Sequence, residues 1–296
     1  MESELPIFVL GNPRSGTTLL RLLIASHPDF VIPPECGFAV WLRTQGWSWR
    51  PEYNDEPNEI DRFLVALNNC RKYETWNLPD EKVVEKIKLQ RPQNYSELVA
   101  CVYLAYASEY KPTARFWGDK NNFHMVHVND IAEMFPQCRF VHIVRDVRDI
   151  ACSYRELATL ESSSPYRPNL PSNVESIAEQ WNDNIEAVGK SFETIAANRR
   201  CFVRYEDLVI NPEATLSKLC EFLAVPFSEE MLDFHRRNLE PDHTMDWKEL
   251  TKKPVSKNQV GRFRKLLSPL EIEYFQKHCR QTLESYGYLD SNDTGI

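Results

Sequence analysis

Short apolar runs alternating with helical patterns predict an α/β protein of three layers, a central parallel sheet with helices on both faces. The runs at 7–10, 115–117, 140–144 and 201–203 are rich in Val, Ile and Phe and do not alternate apolar with polar. That pattern suits strands buried on both faces of a sheet. Helical patterns fall between them: one from Thr17, one near Asn94, one after Asp146 and a long one over 174–197. The segment 98–106 is the most apolar long stretch and reads as a buried helix. Ser172 with Glu175, and Ser268 with Glu271, have capping-box spacing ahead of helices. Asn211-Pro212 has the cap-then-proline order of a helix start.

A chain of 296 residues can bury a sizeable core. Its composition, 42% hydrophobic and 26% charged, is that of an ordinary globular protein. The net charge of −8 argues against broad nucleic-acid binding, which needs a net basic surface. The first residues carry two acids and no basic leader pattern, so they read as a first strand rather than a signal peptide. No stretch approaches the ~18 apolar residues of a membrane helix. The eight cysteines are scattered, without a CxxC pair or zinc spacing, and most lie in apolar runs. Buried, reduced thiols and a cytoplasmic location are the expectation.

The strongest chemical signal is Gly11-Asn12-Pro13-Arg14-Ser15-Gly16-Thr17-Thr18, placed between a strand and a helix. Glycines there permit a tight turn, and successive N–H groups at a helix start point at an anion. The spacing is that of a P-loop, but Thr17 stands where a nucleoside triphosphatase has its lysine, and the cation sits earlier, at Arg14. A kinase would lose its main phosphate contact. The second signal is the strand 140–144 ending in Arg145, with Ser153 eight residues on. A Mg²⁺ enzyme calls for a carboxylate at such a strand end; a cation there suits a phosphate.

Together these motifs resemble the PAPS-dependent sulfotransferases, in which a Lys or Arg precedes Ser-Gly-Thr-Thr. The resemblance implies a P-loop-type three-layer fold and 3′-phosphoadenosine-5′-phosphosulfate (PAPS) as co-substrate, with no metal. Arg14 would contact the sulfuryl group and bridging oxygen, Ser15, Gly16, Thr17 and Thr18 the 5′-phosphate, and Arg145 and Ser153 the 3′-phosphate. The pattern is most similar to the tyrosylprotein sulfotransferase branch, through Arg14 to Thr18, then His27-Pro28, then Glu35. By that resemblance Glu35 is the catalytic base, and Lys120, in Gly118-Asp119-Lys120-Asn121-Asn122, stabilises the transition state. Residue type alone gives neither role, since a Glu in a proline turn is ordinarily solvated and a strand-end Lys ordinarily exposed.

His27, His124 and His142 are alternative bases; His27 suits a packing or capping role and His142 a core one. Tyr205, in Tyr205-Glu206-Asp207-Leu208, matches the family's Tyr-Glu-x-Leu element and is a candidate nucleotide contact. Lys253-Pro254-Val255-Ser256 and Gly261-Arg262-Phe263 resemble its nucleotide-covering segment, with Arg262 a candidate second cation for the 3′-phosphate and Thr251 a candidate sulfuryl contact. Leu157 occupies the place of an arginine that usually follows the 3′-phosphate serine, with Arg155 nearby.

The expected organisation is one sulfotransferase domain over 1–296, with 36–110 and 160–172 as excursions on the acceptor side. The aromatics Phe38, Trp41, Trp47, Trp49 and Tyr53 suit either a satellite core or an acceptor wall. The implied partner is a hydroxyl-bearing acceptor: a small molecule, carbohydrate, lipid or peptide tyrosine. Homodimers are common in such folds, and that state stays open. The competing readings are a Mg²⁺-dependent nucleotide kinase and a non-catalytic nucleotide-binding protein of the same fold.

Overall fold

The computed structural model describes residues 4–238 and 240–289. Strand β1 (Glu4–Leu10) runs into the glycine loop and helix α1 (Thr17–Ser26), and a two-residue strand β2 (Phe30–Val31) follows. Residues 36–110 hold α2 (Phe38–Thr44), α3 (Pro57–Asn68), α4 (Asp80–Gln90) and α5 (Tyr95–Tyr110). Next come β3 (Phe116–Lys120), α6 (Val128–Met134), β4 (Arg139–Val144), α7 (Val147–Thr159) and α8 (Val174–Thr194). The chain continues through β5 (Arg200–Arg204), α9 (Tyr205–Ile210), α10 (Pro212–Leu223), α11 (Phe263–Leu266), α12 (Pro269–His278) and α13 (Arg280–Ser285).

The sheet is parallel throughout, in the order β2-β3-β1-β4-β5. All four expected strands form; β2 is too short to leave a sequence signal. Both faces of β1 are buried: Phe8 and Leu10 face the aromatic core built by 36–110, and Ile7 and Val9 face a second core with α1 and α10. A third core joins α7 and α8 to the C-terminal helices. Register sets Val9 beside Lys120, Leu10 beside His142 and Val144 beside Arg204. The residues that follow the strands therefore emerge along one edge, the carboxyl edge where open α/β sheets bind ligands.

Residues 36–110 supply the layer over one sheet face. Phe38 and Trp49 are fully part of its core, and Trp41, Trp47 and Tyr53 pack against it, which favours the core reading of these aromatics. The buried helix is α5, capped by the Asn94 side chain on the Glu97 N–H at 3.0 Å. Two capping expectations need correction. The long helix is capped by Asn173, whose side chain accepts from the Ser176 N–H at 2.7 Å, so Ser172 and Glu175 lie one residue out of register. Asn caps as well as Ser does, so the later residue can take the role. Asn211 precedes a proline-led helix without a side-chain cap, and the long helix stops at Thr194. The Ser268–Glu271 capping box forms in full.

Candidate active site

The glycine loop is held by local geometry. Arg14 and Gly16 have φ of 65° and 92°, and a Cβ on Gly16 would come within 2.5 Å of the Tyr205 ring. Only glycine combines that left-handed backbone with so close a neighbour. A Cβ on Gly11 would sit 2.7 Å from the Ile143 carbonyl oxygen. The loop thus lies pressed between the ends of β4 and β5.

Arg14 donates from Nε to Ser153 Oγ at 3.0 Å and from Nη1 to the Trp247 carbonyl at 2.8 Å. Burial, and then the neighbouring Arg145 charge, lower its pKa to about 10. Arg145 is 5% exposed and donates to the Arg14 carbonyl at 3.0 Å and the Gln259 carbonyl at 2.7 Å. Its guanidinium lies 4.5 Å from the centre of the Tyr205 ring. Arg145 Nε and Ser15 Oγ are buried without a hydrogen-bond partner among the described residues. Unpartnered buried donors are costly. Two clustered guanidiniums with a spare donor fit an anionic group.

Arg14, Arg145, Ser153 and Tyr205 line a cavity of about 540 Å³, with Gly16, Thr17 and Thr18 of the loop; Ser15 is buried behind them. Its other wall comes from residues 246–262, tied to α7 by Asp149, which accepts from the Gly261 N–H at 2.6 Å and the Phe263 N–H at 3.0 Å. Arg262 lies on the rim, with its guanidinium paired to Glu156 and Gln259. Thr251 also lines the cavity, though its hydroxyl donates to the Lys248 carbonyl at 2.7 Å. Leu157 faces the cavity, whereas Arg155 turns to Glu271 on α12 at 2.5 Å.

Beside the cavity, Glu35 is ion-paired to both Lys120 and Lys72, the latter at 2.5 Å. Lys120, at the carboxyl end of β3, is 1% exposed rather than surface-exposed as its residue type suggested. Burial works to raise the Glu35 pKa, but the charges of Lys120, Lys72 and Lys248 hold it well below the usual carboxylate range. Asn122 Oδ1 accepts from Thr17 Oγ1 at 3.4 Å, linking the segment after Lys120 to the glycine loop.

The three histidines take other places. His27 bonds the Pro226 carbonyl at 2.8 Å and accepts from the Asp29 N–H at 3.1 Å, closing the end of α1. His142 is buried in β4, and burial lowers it to about 4. His124 is fully buried 3.4 Å from Asp119, and burial lowers it to about 3. The Asp119 carboxyl, adjacent to Lys120, is raised by burial to about 7 although it accepts from Tyr103 Oη at 2.8 Å.

Sequence reasoning missed Lys72, Lys248, Glu240 and Arg21. Glu240 is buried between Arg21 of α1 and Lys248, and Lys248 lines the cavity. None of the four lies in a motif.

A sequence model described as "Sulfotransferase family" matches residues 6–229, about three-quarters of the chain. The chain belongs to the sulfotransferase family. Among curated sulfotransferases, the protein-tyrosine sulfotransferase of Drosophila melanogaster is 26% identical over 77% of this chain and 40% of its own length. Protein-tyrosine sulfotransferase A of Caenorhabditis elegans is 24% identical over 76% and 51%. The chain spans about half the length of the curated relatives it matches. In fold it is similar to the sulfotransferase domain from the curacin biosynthetic pathway, with a TM-score of 0.61, 19% identity, and coverage of 94% of this chain and 99% of that one. The sulfotransferase domain of the Synechococcus PCC 7002 olefin synthase gives 0.59, 23%, 95% and 97%. Among the described residues no His, Cys, Asp or Glu group is arranged to hold a metal ion, and no helix is long and apolar enough to cross a membrane.

Proposed function

We propose that this sulfotransferase moves the sulfuryl group of PAPS to an acceptor hydroxyl and releases adenosine 3′,5′-bisphosphate. The observation that carries the reading is Arg145. It stands at a strand end where a Mg²⁺-dependent kinase needs a carboxylate, lies over the Tyr205 ring, and keeps a buried donor without a partner among the described residues. Arg145 and Ser153 would hold the 3′-phosphate that distinguishes PAPS from ATP, and the loop from Ser15 to Thr18 the 5′-phosphate.

Sulfuryl transfer then needs a base, cations for the leaving oxygen, and exclusion of water. Glu35 takes the acceptor proton; Lys120 and Arg14 offset charge on the leaving phosphate. Glu35 holds one lysine on each oxygen, and the acceptor hydroxyl would approach a remaining lone pair of that carboxylate. The Arg14 side chain donates to Ser153, which sets its guanidinium beside the proposed 3′-phosphate contact.

The acceptor bears a hydroxyl, on a small molecule, carbohydrate, lipid or peptide tyrosine; the names of the curated relatives favour a phenol. All eight cysteines are free, which supports a reducing compartment, the cytoplasm. Sulfur-labelled PAPS incubated in EDTA with 2-naphthol, a hexose, a sterol and a tyrosine peptide tests the reading. Label on at least one acceptor, matched by bisphosphate release, is expected. Metal-dependent ATP turnover with no transfer from PAPS would instead make this a kinase.

A further inference from the structure

The interior beside the cavity holds more positive charge than its carboxylates neutralise. Arg21, Lys72, Lys120 and Lys248 face two acids, Glu35 and Glu240, and the third carboxyl nearby, Asp119 behind Lys120, is raised by burial to about 7. Uncompensated buried charge is expensive, so such an excess belongs where an anion arrives. Of the four cations, Lys248 is the one that also lines the nucleotide cavity.

Its placement is enforced from behind. Lys248 is 10% exposed at the side chain and pairs with Glu240, which is 1% exposed. Glu240 pairs in turn with Arg21, itself 1% exposed. Arg21 donates its other Nη to the Ile32 carbonyl at 2.7 Å, three residues before Glu35. One buried chain of contacts therefore ties the helix after the glycine loop, the segment that carries Glu35, and the covering segment that carries Lys248. Lys248 lines the nucleotide cavity and also feels the charges of both Glu35 and Lys120. The neighbouring Trp247 carbonyl binds Arg14, which fixes the covering segment at that point.

We propose that Lys248 is a further catalytic cation, contacting the oxygens of the sulfuryl group as it crosses, and that Glu240 and Arg21 position it. This rests on the sulfuryl-transfer reading above. In that step the acceptor oxygen–sulfur bond forms and the bond from sulfur to the bridging oxygen breaks. The bridging oxygen keeps the electron pair, the acceptor proton goes to Glu35, and Lys248 keeps its own proton. Burial lowers the Lys248 pKa to about 8 against the opposing pull of Glu240, which leaves it mainly charged at neutral pH.

The test is the single-turnover transfer rate from labelled PAPS to 2-naphthol, and to water without acceptor, set against calorimetric affinity for adenosine 3′,5′-bisphosphate. Lys248→Met should lower the rate by about 10²–10³-fold, the scale of a lost transition-state donor. Its bisphosphate affinity should stay within about threefold, which also reports that the variant is folded. Lys248→Arg should recover part of the rate. Glu240→Gln, which loosens the cation without removing it, should cost about 10-fold in rate alone, short of the 10²-fold that a misplaced group can cost. A rate unchanged in Lys248→Met would overturn the proposal. So would parallel loss of rate and bisphosphate affinity in both Lys248→Met and the milder Lys248→Gln, which would make the residue structural. If the wild-type protein neither binds bisphosphate nor transfers label, the sulfuryl-transfer reading itself falls.

Discussion

The proposed nucleotide side and the proposed acceptor side of this site are built by different means. Most of the anion contacts proposed for the nucleotide side come from two contiguous pieces, one loop between β1 and α1 and one strand end with the helix after it, and residues 246–262 close the far wall. The acceptor side is assembled across the chain. Glu35 meets Lys72 at a separation of 37 residues and Lys120 at 85. Local backbone geometry fixes the first; packing of distant segments fixes the second. Substitutions on the two sides should therefore fail in different observables.

The largest effect belongs to the acceptor side. Glu35→Gln should lower kcat by about 10²–10⁴-fold, the range for loss of a general base, with bisphosphate affinity retained. Steady-state kinetics beside calorimetry separates the two, and full activity would remove Glu35 from the mechanism. Arg145→Ala should show the opposite pattern, weakening bisphosphate binding by about 2–3 kcal/mol, the scale of a charged hydrogen bond, or roughly 30–150-fold. An unchanged affinity would dissolve the distinction between the two sides.

The contrast also explains what was legible in the sequence. The parallel sheet could be read because strands buried on both faces need continuous apolar runs, as in 140–144. Gly11, Gly16, Arg14, Arg145 and Ser153 could be read because strand–loop–helix and strand-end spacing persist in one dimension, and the structure brings the last four together around one cavity. Lys72 left no such trace. It occupies a left-handed turn, φ 73°, between α3 and a short 3₁₀ turn, and looks like any surface lysine until Phe38, Tyr73 and Trp76 pack around that turn. Lys248 and Glu240 were hidden for the same reason. Asn173 was missed over Ser172 because both are good caps and spacing alone cannot rank adjacent residues.

A finer probe of the acceptor side is Lys72→Met. Lys72 is one of the charges that hold the Glu35 pKa down, so removing it should raise that pKa. The acid limb of kcat/KM should move to higher pH, since Glu35 must be ionised to accept a proton. An unmoved limb in a pH–rate profile would mean that the Lys72 contact does not persist in solution.

The smallest effect concerns Asp119, behind Lys120. Burial raises its folded-state pKa to about 7, well above the carboxyl's ordinary 3.8. Between those values the folded protein binds the extra proton, so this group's stabilising contribution is full below about pH 4 and fades as pH rises through about 7. Asp119→Asn, which cannot ionise, should flatten that slope in urea unfolding followed from pH 5 to 8. An equal slope in both proteins would show that another group carries it.

The central claim is that the loop and Arg145 form a site for a 3′-phosphorylated adenosine nucleotide. Titration calorimetry of the wild-type protein in EDTA, with adenosine 3′,5′-bisphosphate against 5′-AMP and ATP, addresses it directly. Micromolar binding of the bisphosphate with much weaker binding of the other two is the predicted result. Equal affinity for all three, or none for the bisphosphate, would contradict it.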